Sequence, residues 1–175
     1  MSSHRKAGRS LALCTLVFAA AALAAGAALC GVVPRGAMLR GAVLRISDWE
    51  TGEVYAERPV SPGDVLHFGW IHSLEHIPWN ECYYIDTSLH LILDSISFTA
   101  FGAGIPHDKG RSSIENGVIY MREINETFSD IVWINSPSAT QEIWVGGEFV
   151  TRGSDLPHNK RLTLTVKRRN QFWKR

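Results

Sequence analysis

Val65-Leu66-His67-Phe68-Gly69-Trp70-Ile71-His72 alternates with a period of two, which places Leu66, Phe68, Trp70 and His72 on one side and Val65, His67, Gly69 and Ile71 on the other. Successive side chains of a strand point to opposite faces, so the bulkier set faces a core. A helix would need apolar residues at three- and four-residue spacing, which this run lacks. The stretch is therefore a strand, and it sets the terms for the chain on either side.

Upstream, residues 42–49 form a β-branched run, Thr51-Gly52 a tight turn and residues 53–57 its hairpin partner. Pro59, Pro62, Gly63 and Asp64 make a turn-rich link in which proline excludes a central strand. Downstream, residues 81–86 and 89–97 read as strands, with 98–101 a further extension before Gly102. Residues 104–115 lack a strand pattern and are read as a long functional loop. Strands resume at 118–124 and 131–135, followed by a hairpin of 143–145 with 148–150 about Gly146-Gly147, and 162–167 closes the domain. About nine or ten short strands without an amphipathic helix predict an all-β body, an antiparallel β-sandwich or a partly open barrel, preceded by one N-terminal apolar helix.

The chain has 175 residues, enough for one domain plus a leader. Residues 11–33 are free of charge and follow Arg5, Lys6 and Arg9. As a helix this run is roughly 35 Å long, against a hydrocarbon core of about 30 Å. The division is 1–35 as signal anchor or signal peptide, 36–168 as β domain and 169–175 as basic tail. Retention as an anchor is the preferred reading and cleavage the alternative, since small residues near Ala24 and Ala27 also suit a signal peptidase. The body is thereby expected outside the cytoplasmic membrane, which is the partner of residues 11–33. The tail's Arg168, Arg169, Lys174 and Arg175 with Phe172 and Trp173 suit anionic headgroups or a solvated terminus. With 18 Lys and Arg against 17 Asp and Glu, there is no excess of positive charge for nucleic acid. Cys14 and Cys30 lie in the leader and Cys82 stands apart in the body, which excludes a disulfide framework within the β domain.

Chemistry-bearing side chains concentrate at 70–83, where two His, two Glu, two Trp, a Tyr and Cys82 fall within fourteen residues. His72 and His76 with Glu75 or Glu81 have the donor types for a metal, but there is no His-Glu-x-x-His order, no cysteine pair, and Pro78 interrupts any helix. No metal or cofactor is expected. Ser73 and Cys82 have histidines available but no nucleophile elbow. A metal-dependent or Ser/His hydrolase centred on His72, Ser73, Glu75 and Glu81 is the alternative, and no catalytic residue is assigned. A binding surface asks less. Glu81 accepts hydrogen bonds, His72 and Ser73 donate and accept, and Trp79 and Tyr83 offer flat faces with polar tips. The plainer alternative makes Trp70 and Tyr83 core and lets His72 and Glu81 satisfy each other.

The basic and apolar leader, the strand ending in His72-Ser73, Pro78 with Glu81-x-Tyr83, and Phe101-Gly102-Ala103-Gly104-Ile105-Pro106 together resemble a family of small exported bacterial proteins of no assigned activity, encoded beside TAXI-type tripartite ATP-independent periplasmic (TRAP) transporters. The resemblance runs from about Val43 to Val166. It implies an extracytoplasmic accessory or solute-binding domain, with the TRAP permease or its solute-binding protein as partner. Position by position it points to His72, Ser73, Glu81, Tyr83, Gly102, Gly104 and Pro106 as the ligand- or partner-binding set, with Pro78 also matching.

Overall fold

The structure is a computed structural model that describes residues 41–100 and 109–169. Among these residues it contains twelve strands and one short 3-10 turn, Gly153–Asp155, in two antiparallel sheets arranged like a sandwich. The smaller sheet runs β2 (Val54–Val60), β1 (Ala42–Asp48), β12 (Arg161–Arg168), β9 (Asp130–Ile134). The larger runs β11 (Glu148–Arg152), β10 (Thr140–Val145), β3 (Val65–Ile71), β4 (Pro78–Ile85), β5 (Leu91–Phe98), β7 (Val118–Arg122), β6 (Arg111–Glu115), and β8 (Glu126–Phe128) pairs with the start of β5. The all-β expectation holds. The N-terminal helix, the leader division and most of the basic tail concern residues outside those described, and no helix among the described residues is long and apolar enough to cross a membrane.

Alternation builds the core from both sheets. Leu44, Ile46, Leu162 and Leu164 point inward from the small sheet, while Leu66, Leu91, Phe98, Met121 and Ile143 do so from the large one. Each such side chain contributes roughly 1.5–3 kcal/mol on burial. Phe68 of β3 meets Trp133 of β9 edge to face at 5.2 Å between ring centroids, which ties the two sheets together. On one side Arg58 of β2 closes the sandwich by donating to the carbonyls of Phe149 (3.3 Å) and Val150 (3.5 Å) in β11. Asp48 closes the turn after β1 by accepting from the backbone N–H groups of Glu50 and Thr51, both at 2.9 Å. The Thr51 bond holds its carboxyl below the usual range, against the opposing effect of burial and with help from Glu50 and Lys160.

Several local expectations need correction. β2 continues through Pro59 to Val60, because it is an edge strand whose proline lacks no ladder donor on its open side. β4 begins at Pro78, and proline is tolerated at the first position of a strand. The expected loop 104–115 contains β6, which pairs with β7 from Arg111↔Arg122 to Glu115↔Val118. Its Arg-Ser-Ser-Ile-Glu sequence is exposed on both faces, so no alternation marks it. β8 is three residues long and carries no periodic signal at all. The Gly146-Gly147 hairpin is found as read, with φ of +59° and +82° at the two glycines, the left-handed pair that a two-residue turn requires.

Gly153 is needed for a different reason. A Cβ there would run into the carbonyl oxygen of Thr140 and lie 2.7 Å from the Thr140 Cβ and 3.0 Å from the Ser136 oxygen. Gly153→Ala is therefore expected to cost about 1–3 kcal/mol, because backbone must move to admit the methyl. Urea unfolding of the two proteins measures it, and equal midpoints would show that this segment gives way without cost.

Candidate functional site

The side of the sandwich opposite Arg58 is open. The chain leaves β7, runs along β5 as β8, then crosses as β9 into the small sheet, and a cleft of about 670 Å³ lies between this crossover and the inner face of β3, β4 and β5. Its floor carries Trp70 and His72, then Trp79, Glu81 and Tyr83 from β4, with Leu93 and Ile96 from β5. Its wall carries Phe128, Asp130, Ile131 and Val132. Lys109 and Glu126 complete the lining, and the Lys109 Nζ lies 2.7 Å from each of the two Glu126 carboxylate oxygens.

Strand geometry explains why these groups meet. Residues 79, 81 and 83 share the inner face of β4, and pairing sets Trp79 beside Trp70 and Glu81 beside Phe68. Glu81 Oε1 accepts from the indole N–H of Trp79 (3.1 Å) and of Trp70 (3.3 Å), and Oε2 accepts from the Tyr83 hydroxyl (2.6 Å). Trp79 is backed by Phe98, stacked at 4.8 Å, so the indole that holds Glu81 is itself held. Burial raises the pKa of Glu81 above its ordinary value; the bonds from Tyr83, Trp79 and Trp70 and the charge of Lys109 offset this only in part. Burial, then the nearby Glu81 charge, pushes the Tyr83 phenol far up, so it remains a donor. No cationic side chain among the described residues is within ion-pair distance of Glu81.

His72, 8% exposed, ends the floor. Its ring lies 5.7 Å from those of Trp70 and Trp79, and its Nδ1 accepts the Glu75 backbone N–H at 3.4 Å. Nε2 is then the nitrogen that can carry the ring proton. The turn after it is a single tight one, closed by an i→i+4 backbone bond. The His76 N–H bonds the His72 carbonyl at 2.9 Å, the Ile77 carbonyl takes the His72 N–H, and His76 is exposed with φ of +54°.

Of the residues singled out from sequence, the structure brings His72, Glu81 and Tyr83 together at the cleft. Ser73 and Glu75 are exposed in the turn beside it, and among the described residues no hydrogen bond joins Ser73 to His72. Gly102, Gly104 and Pro106 lie outside the described residues. The flanks of that segment do reach the site, since Phe98 backs Trp79 and Lys109 lines the cleft. Glu81 is satisfied by Trp70, Trp79 and Tyr83 rather than by His72. Cys82 is buried, while Cys14 and Cys30 lie outside the described residues. No group of three or more His, Cys, Asp or Glu side chains among the described residues converges to hold a metal.

Sequence reasoning missed Lys109, Glu126, Phe128, Asp130, Ile131 and Val132. They lie far from 70–83 in the chain; Lys109 falls in the stretch read as a loop, and the only signal of the others was two acidic and two aromatic residues at 126–133.

A DUF1850 domain, a domain of unknown function, is found at residues 66–151. That range runs from β3 to β11 and contains every lining residue of the cleft, but it leaves out β1, β2 and β12 of the small sheet. No curated protein and no solved structure matches the chain.

Proposed function

We propose that this protein is a solute- or partner-binding domain, anchored on the outer side of the cytoplasmic membrane by residues 11–33, that serves a TAXI-type TRAP transporter as an accessory and does not itself catalyse a reaction. The observation that carries the binding reading is the Glu81 carboxylate, held by three fixed donors on the floor of an open cleft. A concave, mainly apolar site with a few fixed polar groups is the usual form of a small-ligand site. The location rests on the basic flank and apolar run of the leader, and the transporter on the resemblance in 43–166.

Two measurements test the parts separately. Deleting the gene in a host that carries such a transporter is expected to reduce solute uptake. Unchanged uptake, with neither the permease nor its solute-binding protein co-purifying, removes the transporter link. For the cleft, Ile131→Trp places an indole on the wall from a half-buried position whose side chain faces inward from β9. It is expected to abolish stabilisation of the full-length chain by any solute that raises the wild-type melting temperature, since that shift follows occupancy. A solute that stabilises both proteins equally binds elsewhere.

A further inference from the structure

The charges around the cleft are unequal. Among the described residues Glu81, Glu126 and Asp130 face it with only Lys109 in opposition, and Lys109 is committed to Glu126. Asp130 takes a hydrogen bond from the Ser129 hydroxyl at 2.7 Å and has no ion-pair partner among the described residues. Glu81 has three donors, but an indole or phenol orients a carboxylate without neutralising it. A carboxylate offers about four lone-pair positions. Oε1 uses two on the indoles and Oε2 one on Tyr83, so one remains on Oε2. Around it stand the aromatic side chains of Trp70, Tyr83 and Phe128, whose π-faces attract cations and accept flat apolar groups.

Resting on the reading of the cleft as a binding site, we propose that it selects organic cations with N–H donors on a flat or apolar body, with Glu81 as the counter-ion and the aromatic side chains seating the body. An ammonium, amidinium or guanidinium supplies both things the site lacks, a positive charge and a donor for the fourth lone pair. An anion meets Glu81 and Asp130 with no free cation among the described lining residues to receive it. A neutral guest gains the aromatic contact but leaves the charge of Glu81 uncompensated.

Benzamidinium, benzamide and benzoate have nearly the same shape and differ in charge, which makes them suitable probes. Calorimetric titration of the full-length chain in detergent is expected to show benzamidinium binding about tenfold or more tighter than benzamide, with benzoate weakest. Glu81→Gln is expected to remove that preference. Asp130→Asn, which touches none of the Glu81 bonds, lowers benzamidinium affinity a few-fold and keeps the test valid if the first variant does not fold. Equal binding of benzamide and benzamidinium, or a preference for benzoate, overturns the cation selectivity while the cleft stands. Absence of binding by all three, or benzamidinium binding that survives Ile131→Trp, overturns both the selectivity and the cleft.

Discussion

Replacing Glu81 by alanine is expected to destabilise the protein by roughly 2–4 kcal/mol. The substitution removes one side chain but strands three donors, the indole N–H groups of Trp70 and Trp79 and the hydroxyl of Tyr83. Each donor left without a partner costs about 1–3 kcal/mol when buried, and the open cleft lets water recover part of that. Glu81→Gln keeps the acceptor for the indoles and has a smaller effect. The two variants also separate on pH. A folded-state pKa raised by burial means that the folded protein holds the Glu81 proton where the unfolded chain has lost it. Stability from this group is therefore greatest in acid, declines as pH rises from the ordinary glutamate range through the folded pKa, and is level beyond it. Glu81→Gln cannot titrate and lacks that decline. Urea unfolding of wild type and Glu81→Gln from pH 4 to pH 8 reads it directly, and parallel curves would show that Glu81 does not bear a burial penalty.

Asn135→Asp is expected to cost about 3 kcal/mol or more. Asn135 is 1% exposed at the end of β9, and its Nδ2 donates to the carbonyls of Gly153 (3.0 Å), Leu156 (3.2 Å) and Pro157 (3.0 Å). Its backbone N–H and carbonyl are also taken, by the Lys160 carbonyl and the Asn159 N–H. One amide therefore fastens the segment before β12 to the edge strand that walls the cleft. Aspartate puts a carboxylate oxygen where the amide donated, facing three carbonyl oxygens in a dry site. Asn135→Ala removes the donor without adding the charge, so about 2–3 kcal/mol is expected. The order Asp worse than Ala, measured by urea midpoints, is the signature of the three-carbonyl contact; the reverse order would mean that water or backbone movement relieves it. Because β9 forms part of the cleft wall, both variants are expected to weaken any ligand that Ile131→Trp excludes.

The sequence carried the strand pattern of the large sheet well wherever one face is buried and the other is not. Leu66 and Phe68 are buried and Val65 and His67 are less so, as the alternation in 65–72 requires, while Gly69 departs from it and is buried too. It failed at β6 and β8, where both faces are exposed or only three residues pair, because binary pattern reports burial and not hydrogen bonding. The candidate site divides the same way. Trp79, Glu81 and Tyr83 share a face by the period of two alone, so their meeting was readable from spacing. Their pairing with Trp70 depends on the β3–β4 register, which fourteen residues of sequence do not contain.

What the sequence by itself determined, then, is an all-β body and one strand face that gathers an acceptor with aromatic donors, because strand periodicity is local and follows from covalent geometry. Only the tertiary structure decided that this face borders a cleft. The opposing wall, Phe128 to Val132, belongs to β8 and β9, some fifty residues further on, and it reaches Glu81 because the chain crosses there from one sheet to the other. Non-local placement of that kind is set by which surfaces the two sheets bury against each other, and no spacing within either segment encodes it.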